Sequence, residues 1–399
     1  MLWDALTLQL GYNATLVTLG AMMLGVGAGA TGTYLYLSKR ALVSDAISHA
    51  TLPGVVLGFM VMVTLGGEGR FLPGLMLGAA LSAGLGLLAV TWLKTRTRLH
   101  EDAAIGAVLS VFFGFGVVLL TVVQVMDAGR QAGLETFLLG ATAGMLRDEA
   151  VTIAAGGALV LALVRLLHRP MILVAFDPEY AVGQGMRLAH VDLAMMGLAL
   201  AITVTGLKVV GLVLIVALLI IPPVAARFWS ERAGNVVVIA GIIGGLAGYL
   251  GAAVSATAPD LPTGPLIVLA AFALFVLSLL VAPGRGVLAA SVRHMRFQRR
   301  VHLRQGLLAL GAGQPVYEPL TLRLMRRAGL ARADGVATEA GRAMAARARL
   351  DERRWQILRS DPAFEAAAAR YDGLTPLDEV LTGDQIAALD RGLGPEGAV

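Results

Sequence analysis

The chain has 399 residues, 57% of them hydrophobic and only 15% charged. That balance excludes an ordinary soluble enzyme, whose core could not absorb so much apolar surface, and leaves a polytopic membrane protein. The absence of cysteine excludes disulfides and thiolate metal ligands. The formal charge of +5 belongs entirely to residues 283–399, which hold 18 arginines against 13 acidic residues.

Apolar runs long enough to span a bilayer, which takes roughly 20 residues, occur near 13–37, 44–63, 71–93, 103–123, 149–168, 190–207, 209–226, 234–254 and 263–282. The first run lacks a basic leader and reads as a retained span. Between 190 and 226 the pattern predicts two helices turning at Thr205–Lys208, so the count is eight or nine spans. One set of short loops carries Lys39, Arg40, Lys94, Arg96, Arg98, Arg165, Arg169, Arg187, Arg227 and Arg232. The opposite set carries Arg70, Arg130, Arg147 and Lys208. The excess of basic residues marks the first set as cytoplasmic. The N-terminus is then outside and the C-terminus inside. On the outer side, 134–140 is too short to span and reads as a re-entrant or interfacial helix. Gly25/Gly29, Gly241/Gly245 and Gly244/Gly248 have the spacing of closely packed membrane helices.

The most informative segment is 41–54, ALVSDAISHATLPG. Ionisable groups at membrane depth are costly and mark function. Asp45 and His49 are four residues apart, so they point within about 40° of each other on a helix. Ser44, Ser48 and Thr51 extend that side into a polar arc of about 160°, expected to face water. A carboxylate and an imidazole one turn apart can share a divalent metal; a hydrogen-bonded Asp–His pair that joins two helices is the plainer alternative. Pro53 lacks the N–H that would bond the His49 carbonyl, leaving that oxygen free. Nine residues past Arg40, His49 lies about 13 Å into a core about 30 Å thick, close to the midplane.

Farther on, Asp177 precedes Pro178 and Glu179 in a cytoplasmic loop, with Gly183 and Gly185 following. Proline after aspartate predicts a capped short helix. His100, His168 and His190 sit near predicted interfaces and need no special role. No G-x-x-x-x-G-K-[ST] pattern is present, and none of Lys39, Lys94 and Lys208 follows a glycine. The chain therefore reads as having no nucleotide site of its own, and not as an enzyme.

Residues 1–282 form the expected membrane domain and 283–399 a cytoplasmic domain. Within the latter, 291–310 reads as a basic juxtamembrane helix that adjoins anionic lipid. A helix at 320–330, a turn at Asp334–Gly335 and a helix from Thr338 follow, and 378–390 reads as a capped terminal helix.

Several of these segments resemble the manganese/zinc/iron ABC-transporter permeases. The 41–54 segment resembles their second-helix signature, and 100–106 (HEDAAIG) the start of a later cytoplasmic helix. Segment 176–181 (FDPEYA) resembles their coupling segment, and 209–222 and 261–264 their later spans. The resemblance covers about 13–282. It implies an all-α polytopic fold of the cobalamin and siderophore importer type and inward transport of Mn2+, Zn2+ or Fe2+ with no permanently bound cofactor. The ion would pass Asp45 and His49. The implied partners are an ABC ATPase docking on Asp177, Pro178, Glu179 and Gly183, a metal-binding substrate-binding protein, and a second permease, identical or paralogous, in the bacterial inner membrane. Asp260, on the outer side, is a minor candidate contact for the binding protein. Residues 303–355 resemble the winged-helix module of metal-dependent repressors, here expected to contact protein and not nucleic acid. Two alternatives compete: a proton-coupled secondary metal carrier, and a membrane-tethered metal-responsive regulator.

Overall fold

The computed structural model describes residues 2–9, 11–67, 69, 71–125, 147–211, 214–258, 261–361, 364, 368–369, 371–375 and 377–393. The expected segment 134–140, and Arg70, Arg130 and Asp260, lie outside them. The described residues are helical apart from turns and one isolated antiparallel bridge between Ala331 and Ala337. The chain divides into two compact units, Met1–Ala289 and Ala290–Val399.

The first unit opens with a short helix, α1 (Leu2–Leu6). Then come α2 (Tyr12–Leu37), α3 (Ala41–Thr64), α4 (Leu72–Arg96), α5 (Glu101–Val125), α6 (Arg147–Phe176), α7 (Pro178–Gly183), α8 (Leu188–Val210), α9 (Leu214–Arg227), α10 (Ala233–Ser255) and α11 (Thr263–Val281). Eight of these (α2 to α6, α8, α10 and α11) are long and apolar enough to cross a membrane. The 14 residues of α9 reach only about 21 Å at 1.5 Å per residue.

Two boundaries differ from expectation. The turn between α8 and α9 is not at Thr205–Lys208, which remains helical. The break comes at Gly211, whose φ of 88° is a conformation that a side chain resists. Nothing at 205–208 forces a turn, because the polar groups are satisfied within the bundle. The Thr205 hydroxyl donates to the Ala201 carbonyl at 2.7 Å, and Lys208 forms an ion pair with Glu149 of α6. Helix α6 also outruns its apolar stretch, continuing through Pro170 to Phe176.

Bare backbone sets the tightest helix contacts. A Cβ on Gly25 would lie 2.1 Å from the Gly244 carbonyl oxygen, so α2 and α10 touch backbone to backbone, as the small-residue spacing predicts. The same holds for α3 on α4, where a Cβ on Gly54 would lie 2.0 Å from the Gly78 carbonyl oxygen. One apolar cluster joins α2, α6, α8, α9, α10 and α11 around Leu24, Tyr34, Ile153, Ile202 and Ile215. Two others join α3, α4, α5 and α8. Helix α3 is thus fixed along its length, which holds Asp45 and His49 in register.

The second unit contains most of α12 (Val287–Gly311), then α13 (Pro319–Arg327), α14 (Glu339–Ser360), α15 (Leu377–Val380) and α16 (Gly383–Gly392). Its helices start where the sequence supplies caps. The Glu318 carboxylate accepts from the Leu320 and Thr321 amides. The Thr338 hydroxyl accepts from Gly341 N–H at 3.1 Å. Thr382 and Gln385 form a reciprocal capping box. The expected turn at Asp334–Gly335 is present, with Gly335 at φ 78° and Arg332 N–H donating to the Val336 carbonyl.

Candidate functional site

In α3 the Asp45 Oδ1 and His49 Nε2 atoms are 3.4 Å apart, and their side chains are 38% and 17% exposed. The i, i+4 spacing brings them together as expected. The His49 ring meets Phe113 of α5 edge to face, with centroids 4.9 Å apart. Its Nδ1 atom is buried without a hydrogen-bond partner. An imidazole nitrogen left this way costs free energy unless some step of the working cycle supplies a partner.

The broad wet face expected around this pair is not present. Ser44, Ser48 and Thr51 are fully buried. The Ser44 hydroxyl donates to the Ala41 carbonyl and the Thr51 hydroxyl to the Ser48 carbonyl, both at 2.6 Å. Hydroxyls that bond their own helix need no water and can pack against protein. The accessible polar stripe therefore narrows to Asp45 and His49. Val43, Ala46, Ile47 and Ala50 are buried as the apolar side, while Leu42 is exposed.

No group of three or more His, Asp or Glu side chains within reach of one ion occurs among the described residues. Asp45 and His49 can supply two ligands to a divalent ion: one hard carboxylate oxygen and one imidazole nitrogen. The remaining positions of a coordination shell must come from water, a backbone carbonyl or another chain. Pro53 stays inside the helix, so the His49 carbonyl lacks its usual helical donor.

Near the same end of α3, charges from four elements converge. The Arg40 guanidinium contacts Asp192 at 2.9 Å and Glu101 at 3.4 Å, and Lys94 reaches Glu101 at 2.5 Å. Glu101 therefore does more than favour its helix N-terminus. It ties the α2–α3 turn to the end of α4 and the start of α5. The sequence lists these charges but not their partners, which lie far apart in the chain.

The short helix α7 forms where the Asp-Pro pair predicts it. The Asp177 carboxylate accepts from Tyr180 N–H at 2.9 Å, and Pro178 occupies the first helical position, where its missing N–H is harmless. Glu179 and Gly183 are exposed. So are the larger apolar side chains of Phe176, Tyr180 and Val182, while Ala181 is buried. Gly185 ends the segment at φ 80°. A rigid knob with exposed aromatics is suited to insertion into a partner's cleft.

The sequence pattern of the ABC 3 transport family matches residues 12–282. The chain belongs to that family. The ABC 3 match ends where the last apolar helix ends, so residues 283–399 lie beyond it. A manganese transport system membrane protein of Bacillus subtilis, MntC, is 39% identical over 77% of this chain and 70% of its own length. A zinc transport system membrane protein of Treponema pallidum, TroC, is 37% identical over 74% of this chain and 96% of its own. Among solved structures, PsaBC of Streptococcus pneumoniae in complex with Fab aligns with a TM-score of 0.61 and 27% identity. That alignment covers 71% of this chain and 98% of the other. The all-helical ABC 3 permease architecture expected from the sequence is thus the one the chain adopts.

Proposed function

We propose that this ABC 3 permease carries divalent transition metal inward as one subunit of an ATP-driven importer, manganese first and zinc next. The observation that carries this reading is the Asp45–His49 pair, 3.4 Å apart on α3 with His49 Nδ1 buried and unpartnered. The ion enters as cargo and is bound transiently by the Asp45 carboxylate and the His49 imidazole. Two side-chain ligands hold an ion less tightly than a closed shell of four or six. That suits a site that must release its ion. A second permease, identical or paralogous, completes the path. Relatives named for manganese and for zinc transport support this cargo class. Iron is a third candidate by ligand chemistry alone.

A separate ATPase docks on α7, with Asp177 and Pro178 fixing the helix and Glu179 facing the partner. A substrate-binding protein delivers metal on the opposite side of the inner membrane. The excess of basic residues in one set of loops supports an N-terminus outside and residues 283–399 in the cytoplasm, with the short α9 making a ninth crossing. That second unit, with α13, a one-bridge hairpin and α14 in winged-helix-like order, serves as a protein-contact module and not as a reader of DNA.

The test is uptake into proteoliposomes that hold the permease, its ATPase and its binding protein. Manganese accumulation should require ATP, stop with vanadate and survive an uncoupler. Accumulation that ignores vanadate but collapses with the uncoupler would instead establish a proton-coupled carrier.

A further inference from the structure

The geometry points to an anionic phospholipid site in a groove of about 660 Å3 between α2, α6 and α10, with no residue of α3 or α5 in its lining. Its two ends differ in chemistry. Arg165, His168 and Arg169 line one end, and Leu161, Val164, Val237, Val238 and Ile242 line the rest. A cationic mouth above an apolar trough matches a phosphate headgroup above acyl chains.

The cations are free to take a ligand. Arg40, Lys94 and Lys208 of the same unit each face a carboxylate. Arg165 and Arg169 have no carboxylate partner among the described residues, and both are exposed. The histidine between them is aimed. The Tyr34 hydroxyl, fully buried, lies 2.7 Å from His168 Nδ1. A phenol that donates to Nδ1 leaves the neutral ring with its proton on Nε2. That Nε2 lies 3.7 Å from the point where a Cβ on Gly234 would stand. Gly234 brings that nitrogen against the first turn of α10, whose cap position Arg232 makes no side-chain cap bond.

Depth agrees. Arg165 and Arg169 follow Arg147, the first residue of α6, by distances of about 27 and 33 Å at 1.5 Å per residue, against a hydrocarbon core of about 30 Å. They reach the headgroup layer on the α7 side, which is the cytoplasmic leaflet in the orientation proposed above. The site itself does not depend on that orientation or on the cargo. The apolar trough selects a lipid over a free phosphate, because a soluble anion would leave Val237, Val238 and Ile242 uncovered.

The experiment is native mass spectrometry of the full-length permease–ATPase complex, exchanged into detergent with equal phosphatidylglycerol and phosphatidylcholine. The intact complex should retain phosphatidylglycerol in preference to phosphatidylcholine, and soluble glycerol phosphate should not displace it. Arg165→Gln or Arg169→Gln should each lower retention about fivefold, and the double variant about 25-fold. Val238→Trp should lower retention by filling the trough while leaving the charges in place. Equal retention by the double variant and the parent would overturn the site, as would equal retention of the two lipids or displacement by glycerol phosphate. Cross-linking of Val238 to a second protein chain, with no lipid retained, would assign the groove to a protein partner instead. If the double variant fails to assemble, the lipid competition on the parent and the Val238→Trp comparison still decide the matter.

Discussion

Replacing Gly54 by alanine tests how Asp45 and His49 are held in place. The new methyl would lie 2.0 Å from the Gly78 carbonyl oxygen and 2.5 Å from Ser82 Cβ, whereas real Cβ contacts below 3.0 Å essentially never occur. Helices α3 and α4 must therefore part by about 1 Å, and a gap of that size already forfeits a quarter to a half of each dispersion contact across the seam. Leu52, Val55, Val56 and Phe59 of α3 share one cluster with Leu72, Leu75 and Ala79 of α4, so the loss is spread over a whole interface. Overpacking of this kind costs about 1–3 kcal/mol. Gly84→Ala on α4 is the matched control, because nothing lies within 4 Å of its added Cβ. Both substitutions gain about the same helix propensity, up to about 1 kcal/mol, so their difference isolates packing. In thermal melts of the purified complex, Gly54→Ala should unfold earlier than the parent and Gly84→Ala at or above it. Uptake should fall in Gly54→Ala alone, since His49 is five residues away on the displaced helix. Equal melting and equal uptake in the two variants would refute the reasoning.

Glu179→Arg on the exposed face of α7 should leave the fold intact but separate ATP hydrolysis from uptake; cross-linking between this loop and the ATPase should weaken in parallel, and unchanged coupling would remove α7 from the docking surface. Lys208 and Glu149 are paired with side chains only 21% and 14% exposed, so Lys208→Ala should cost about 1–3 kcal/mol by removing a largely desolvated charged contact. The exchange Glu149→Lys with Lys208→Glu should recover part of that loss in the same unfolding assay. In the second unit the Arg354 guanidinium grips Asp390 through two 2.7 Å bonds and holds its carboxyl below the ordinary value of 3.8. A depressed carboxyl contributes stability that is complete above 3.8 and lost as pH falls through the lower folded-state value. The protection of α16 amides, measured relative to their intrinsic exchange rates, should therefore be constant from neutral pH to about pH 4 and fall below it. Arg354→Gln should remove that extra acid sensitivity at a cost of about 1–3 kcal/mol, because the Arg354 side chain is only 13% exposed and also faces the buried Asp351.

Much of this architecture is written locally. The 20-residue apolar runs become helices because an isolated backbone in lipid must bond to itself. The Asp-Pro start of α7, the Thr338 cap and the Asp334–Gly335 turn each depend on two or three neighbouring residues. Asp45 and His49 were legible for the same reason, since their proximity needs only helical periodicity. What the sequence hid is non-local. The Ser44, Ser48 and Thr51 arc resembled a wet face until packing buried it, because a hydroxyl can satisfy itself on its own helix. The end of α8 looked like an outer turn because Lys208 is charged. Its partner Glu149 lies 59 residues away, and the actual break needed only Gly211. Phe113 beside His49, and the Arg40–Glu101–Lys94 junction, likewise require knowing which helices meet.

Asp45 and His49 are the residues on which the proposed transport depends most, and one measurement addresses them directly. Initial rates of ATP-driven manganese and zinc uptake should be compared for the parent, Asp45→Ala, His49→Ala and the exposed-face control Leu42→Ala, each reconstituted with the ATPase and binding protein and each matched for ATP hydrolysis. Uptake by Asp45→Ala and His49→Ala should fall to the level of empty liposomes, with hydrolysis retained and Leu42→Ala close to the parent. Parental uptake of both metals by either Asp45→Ala or His49→Ala would contradict that dependence.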